Sequence, residues 1–82
     1  MNIDPDIIEK TNQVFIEEFE IAPEALGPEK QIFDDLGLDS LDIVDLVVAL
    51  QAKFNVNIRD DERIRKIRTL RDIYQYILEV KK

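Results

Sequence analysis

The 82-residue sequence contains no cysteine and no histidine. Without cysteine there is no disulfide and no thiolate zinc site. Without histidine the chain lacks the commonest general base and the commonest metal ligand. A Ser-His-Asp or Cys-His mechanism cannot be assembled from it, so no catalytic residue is assigned and no enzyme activity is expected. Only two glycines and three prolines punctuate the chain. Apolar and polar residues do not alternate over any length, so sheet patterning is missing. The longest uncharged apolar run, Leu46 to Leu50, falls far short of the roughly 18 residues of a membrane span. The first residues, Met1-Asn2-Ile3-Asp4-Pro5, have neither the basic start nor the apolar run of a signal peptide. A cytoplasmic protein is expected.

What is present is a chain of one-domain length, 1–82, with 45% hydrophobic residues, enough for one modest core. The net charge of −7 is uneven. Residues 1–57 hold thirteen acids and three bases, whereas residues 58–82 hold five acids and eight bases. An acidic body repels nucleic acid and anionic membranes and suits partners with basic patches.

The apolar periodicity is helical. Asp4-Pro5 is a cap followed by a proline at the first helical position. Ile7, Ile8, Thr11, Val14, Phe15 and Phe19 then predict an amphipathic helix over about 5–20. Ala22-Pro23 and Gly27-Pro28 interrupt it. The connection 21–38 carries the anchors Leu26, Ile32, Phe33, Leu36 and Leu38, and a connection this long is often functional. Asp39, with Asp42 three residues on, opens a second helix over about 40–54 through a variant capping box. Its expected inner stripe is Val44, Val47, Leu50 or Gln51, and Phe54. A short basic helix is expected around 61–67. Thr69-x-x-Asp72 opens a last helix with Leu70, Ile73, Ile77 and Val80 inward and Tyr74 and Tyr76 at its flanks. The fold class expected is all-α: a four-helix bundle of three main helices and one short one, with a long first loop.

The informative stretch is Phe33-Asp34-Asp35-Leu36-Gly37-Leu38-Asp39-Ser40-Leu41-Asp42, followed by an aliphatic helix and Phe54. It does not fit a G-x-S-x-G nucleophile elbow, nor do its aspartates have EF-hand spacing. With its D-x-LG-x-DSL string, and with Thr-x-x-Asp before an apolar last helix, the sequence resembles the acyl carrier protein family over nearly its whole length. The resemblance implies that Ser40 carries 4′-phosphopantetheine, attached by a separate phosphopantetheinyl transferase. It implies that Asp39 helps hold the Mg²⁺ of that reaction, with no metal stably bound. The terminal thiol of the arm then holds an acyl group as a thioester for fatty-acid, lipid or related biosynthetic enzymes.

Physical chemistry supports the place. Ser40 falls in the first turn of a helix, where unpaired N–H groups and the positive pole favour an anion by about 0.3–1 kcal/mol. Gly37 allows a tight turn ahead of it. Leu41, Asp45 and Val48 share one face with Asp42 beside it, which places apolar spots between acids. Asp39, Leu41, Asp42, Asp45 and Val48 are therefore the candidate docking face for acyl-transferring and condensing enzymes with basic patches. Exposed ion pairs of about 0.2–1 kcal/mol each suit weak, fast docking by a monomeric shuttle. Phe33, Val44, Leu50, Phe54, Ile67, Leu70, Ile73 and Ile77 are expected in the core, which by resemblance parts to admit the acyl chain.

The chain departs from the family between Asn57 and Arg68, where many members have a proline at the place of Arg59 and a more acidic third helix. Gln51-Ala52-Lys53 is less acidic than usual, and Ile73 is bulkier. The basic 59–71 region either neutralises Asp34, Asp35 and Asp60–Glu62 or meets a second, acidic partner. These departures suggest a dedicated carrier for a specialised pathway, with modified-lipid, lipopolysaccharide, polyketide or aminoacyl cargo as alternatives. A plain helical interaction module without a prosthetic group is the competing class.

Overall fold

A computed structural model describes residues 3–58 and 66–81. The described residues hold three α-helices, α1 (Pro5–Phe19), α2 (Ser40–Phe54) and α3 (Leu70–Val80), and a 3₁₀ turn at Pro23–Ala25. They contain no strand, only one isolated antiparallel bridge between Gln31 and Thr69. The all-α bundle is thus as expected. The short helix expected at 61–67 falls largely on residues outside those described. The only short helical element among the described residues, the 3₁₀ turn, lies in the first loop.

Each helix begins where its capping residues dictate. The Asp4 carboxylate accepts from the Asp6 N–H at 2.9 Å, with Pro5 in the first turn. Thr69 and Asp72 close a reciprocal capping box on α3. α1 and α2 end on residues in the left-handed region, Glu20 (φ 56°) and Asn55 (φ 54°). Asparagine tolerates that conformation, whereas glutamate adopts it at a cost.

The core forms where the inner stripes meet. Ile7, Thr11, Val14 and Phe15 of α1 face Leu46, Leu50 and Phe54 of α2 and Leu70, Ile73, Tyr74, Tyr76 and Ile77 of α3. Ile32, Leu38, Ile58 and Ile67 complete it from the connecting segments. Of the other loop anchors, Leu26 and Leu36 pack partly buried against it, and Phe33 is only half-buried.

Two expectations need correction. Val44 is 63% exposed, so it is not an inner-stripe residue. α2 is apolar around most of its circumference, so helical spacing alone cannot tell inside from outside; Leu46, Leu50 and Phe54 (i, i+4, i+8) take the inner line. Tyr74 and Tyr76 do not flank the buried face of α3 but belong to it, with Tyr74 fully buried. The Tyr74 hydroxyl donates to Asn12 Oδ1 at 2.6 Å, which satisfies its polar end. Val80, expected inward, does pack against the core, partly buried at the end of the stripe.

The long loop is tied down at its middle. The Ile32 N–H donates to the Arg68 carbonyl (2.8 Å), the Leu70 N–H to the Lys30 carbonyl (3.2 Å) and the Arg71 N–H to the Pro28 carbonyl (3.1 Å). The Arg71 guanidinium pairs with Glu29. This strap holds the loop against the start of α3.

Candidate functional site

From the strap the chain runs through one turn to the start of α2. The Asp35 carboxylate accepts from the Gln31 N–H (2.7 Å), closing that turn. Gly37 has φ +78°, which disfavours any side chain there although a Cβ would meet nothing within 4 Å. Leu38 is buried and anchors the next step. Asp39 is extended and caps α2, so Ser40 becomes its first helical residue.

The cap is a full reciprocal box. Asp39 Oδ1 accepts from the Leu41 N–H (2.9 Å) and the Asp42 N–H (3.0 Å). Asp42 Oδ2 accepts in return from the Asp39 N–H at 3.0 Å. This modifies the expectation of unpaired N–H groups waiting for an anion. Two first-turn donors already serve Asp39, whose own charge sits at the positive pole of the helix. The Ser40 side chain takes no part in these bonds, and the residue is exposed.

Ser40 therefore fits a tethered prosthetic group. Its hydroxyl lies at a rigidly capped helix start, open to solvent, and Asp39 rather than Ser40 does the capping. Among the described residues, no group of three or more His, Cys, Asp or Glu side chains is placed to hold a metal ion.

The predicted docking residues are brought together along the outer side of α2. Leu41 is 77% and Val48 59% exposed, and Asp45 is exposed between them. Asp39 is exposed and Asp42 half-buried, each with a carboxylate oxygen outside the cap. Val44, expected inward, is exposed on the same side. At 100° per residue it stands about 60° from Leu41 and about 40° from Val48, which was the signal available in the spacing. The basic region is described only from Lys66 onward. There Arg71 pairs with Glu29 rather than with Asp34 or Asp35.

No helix among the described residues is long and apolar enough to cross a membrane. Burial pushes the Tyr74 hydroxyl above its usual 10.0, and its bond to Asn12 offsets part of that.

Comparison with known proteins covers nearly the whole chain. The family model described as "Phosphopantetheine attachment site" matches residues 10–77. An acyl carrier protein of Campylobacter fetus subsp. fetus is 41% identical over 76 residues, 93% of this chain and 97% of that protein. One of Campylobacter hominis is 38% identical over 77 residues, 94% and 96% of the two chains. One of Wolinella succinogenes is 42% identical over 71 residues, 87% and 92% of the two chains. With a family model covering most of the chain and near-full-length relatives of this similarity, the chain belongs to the acyl carrier proteins, whose prosthetic group is 4′-phosphopantetheine.

Proposed function

We propose that Ser40 is the attachment residue, and that residues 1–82 form one carrier domain that does no catalysis of its own. The observation that carries this is the uncommitted, exposed hydroxyl of Ser40 at the first position of α2, beside a cap built entirely by its neighbours. When bound, the prosthetic group supplies the terminal thiol that a cysteine-free chain lacks, and the acyl cargo is held there as a thioester. The chain's own part is positional. Gly37 and Leu38 fix the approach of the loop, and Asp39 and Asp42 fix the helix start. Ser40 Oγ is the acceptor oxygen for the transferase.

Asp39 has two roles in this reading. One oxygen caps α2, and the other faces solvent, where it would help hold Mg²⁺ while the transferase works. The docking face comprises Leu41, Val44, Asp45 and Val48, with Asp39 and Asp42 at its serine end. Apolar spots bounded by carboxylates suit the transferase and acyl-transferring or condensing enzymes that present basic patches. The same acidity argues against nucleic acid and for a monomeric shuttle; a cytoplasmic location is part of the proposal. The cargo proposed is an acyl intermediate of fatty-acid or related lipid biosynthesis. The narrower idea of a specialised pathway rests on residues 59–71, most of which lie outside those described.

The test is intact-protein mass after incubation with coenzyme A, Mg²⁺ and a phosphopantetheinyl transferase. The wild-type chain is expected to gain the mass of one phosphopantetheinyl group, and Ser40→Ala none. Failure of the folded wild-type chain to gain mass would leave only a helical interaction module.

A further inference from the structure

A groove lies between α1 and the C-terminal half of α2, beyond the docking face proposed above. Val14 of α1 and Ala49 and Ala52 of α2 are its apolar lining; Glu17, Glu18 and Lys53 are its charged lining. Its volume is about 210 Å³. An engineered apolar cavity of about 150 Å³ takes up a benzene ring, so this groove has room for one large aliphatic or aromatic side chain. It also continues a line. Leu41, Asp45, Val48 and Ala52 follow one another at helical spacing on the solvent side of α2, and all four are exposed.

The charges around the groove are in conflict with the helix they decorate. The last turn of α1 has no basic residue. It carries Glu17 and Glu18, and Glu20 caps it in a left-handed conformation (φ 56°). Carboxylates at the negative end of a helix repel its dipole. Glu17 is offset by Lys53 Nζ at 3.8 Å. Cations brought by a partner would relieve that repulsion while an apolar side chain filled the groove.

The geometry points to a second docking site here, for a cationic amphipathic helix of a partner protein, seating one apolar side chain on Val14, Ala49 and Ala52 with its basic flank against Glu17, Glu18 and Glu20. It extends the proposed docking face and does not depend on Ser40 being modified. Anionic bilayers and nucleic acids are repelled by the same carboxylates.

The probe is a synthetic 18-residue helical peptide with one leucine stripe flanked by arginines. It is titrated into the ¹⁵N-labelled full chain at low and moderate salt. Amide shifts are expected to concentrate at Val14, Glu17, Glu18, Ala49, Ala52 and Lys53. Ala52→Gln fills the groove without changing charge on an exposed helical position, and should weaken binding at least about tenfold. Glu18→Gln should weaken it less and reduce its salt dependence. Both variants are checked for native circular dichroism. Shifts confined to residues 41–48, unchanged affinity in Ala52→Gln, or equal binding of a peptide with the same charge but no leucine stripe would each overturn the groove site. Labelling of wild-type Ser40 by the transferase is read in parallel. Intact labelling with no groove binding removes this site alone, whereas loss of labelling removes the carrier reading instead.

Discussion

Asp39 is assigned a structural and a chemical role, and two substitutions separate them. Asp39→Ala removes a side chain that accepts two backbone N–H bonds, from Leu41 and Asp42. Loss of an N-cap of this kind destabilises by about 0.5–2 kcal/mol. Loss of its negative charge at the helix start adds about 0.3–1 kcal/mol. Together these come to roughly 1–3 kcal/mol, or about 4–20 °C in the melting temperature of a domain this size. Asp39→Asn retains an oxygen in the same place, and asparagine caps about as well as aspartate. Only the charge term is lost, about 0.3–1 kcal/mol and a few degrees. Thermal unfolding followed at 222 nm ranks the three proteins wild type, Asn, Ala. The rate of phosphopantetheine transfer to Ser40 ranks them differently. If Asp39 holds Mg²⁺ through its charge, Asn and Ala are both slow, although Asn is nearly as stable as wild type. Equal melting temperatures for Asn and Ala would refute the capping argument. A wild-type transfer rate in the folded Asn variant would refute the metal role.

Three further outcomes follow from the core and the site. Thr11 is fully buried and its hydroxyl has no hydrogen-bond partner, so Thr11→Val should raise stability by about 1 kcal/mol in urea unfolding. Tyr74 is held neutral above its ordinary 10.0. Above pH 10 the unfolded chain loses this proton before the folded one does, so stability falls as pH rises through that range. Tyr74→Phe should flatten this alkaline limb, at a loss of about 0.5–1.5 kcal/mol near neutrality for the bond to Asn12, both read from chemical denaturation against pH.

Much of the fold is local and therefore legible in sequence. Asp4-Pro5, Asp39 with Asp42, and Thr69 with Asp72 each mark a helix start through groups within three residues of one another. The expected span of α2 matches the observed one, and with it the place of Ser40 at a helix start. What was not legible depends on contacts between distant parts of the chain. Spacing groups Val44 with Leu41 and Val48, but it does not say which side of α2 that group faces, because α2 has apolar residues on nearly every side. The burial of Tyr74 needs Asn12, 62 residues away. Arg71 finds Glu29 across 42 residues only because the strap brings loop and helix together. The groove lined by Val14, Ala49 and Ala52 takes its walls from both α1 and α2, which no single-helix pattern reveals.

The strap divides the long first loop into two halves with different freedom to change length. Between Glu20 and Gly27 the chain leaves α1 and runs over a 3₁₀ turn, with no buried residue in that turn. Extra residues there would lengthen a surface excursion at a small entropic penalty, which grows only logarithmically with length. Between Gln31 and Asp39 both ends are fixed, by Arg68 and Thr69 at one end and by the cap of α2 at the other. One inserted residue there must displace Leu38 from the core or pull Asp39 off its N–H groups. The chain length from the strap to the cap thus acts as a ruler, setting where Ser40 stands relative to the start of α3 and allowing variation only upstream of Pro28.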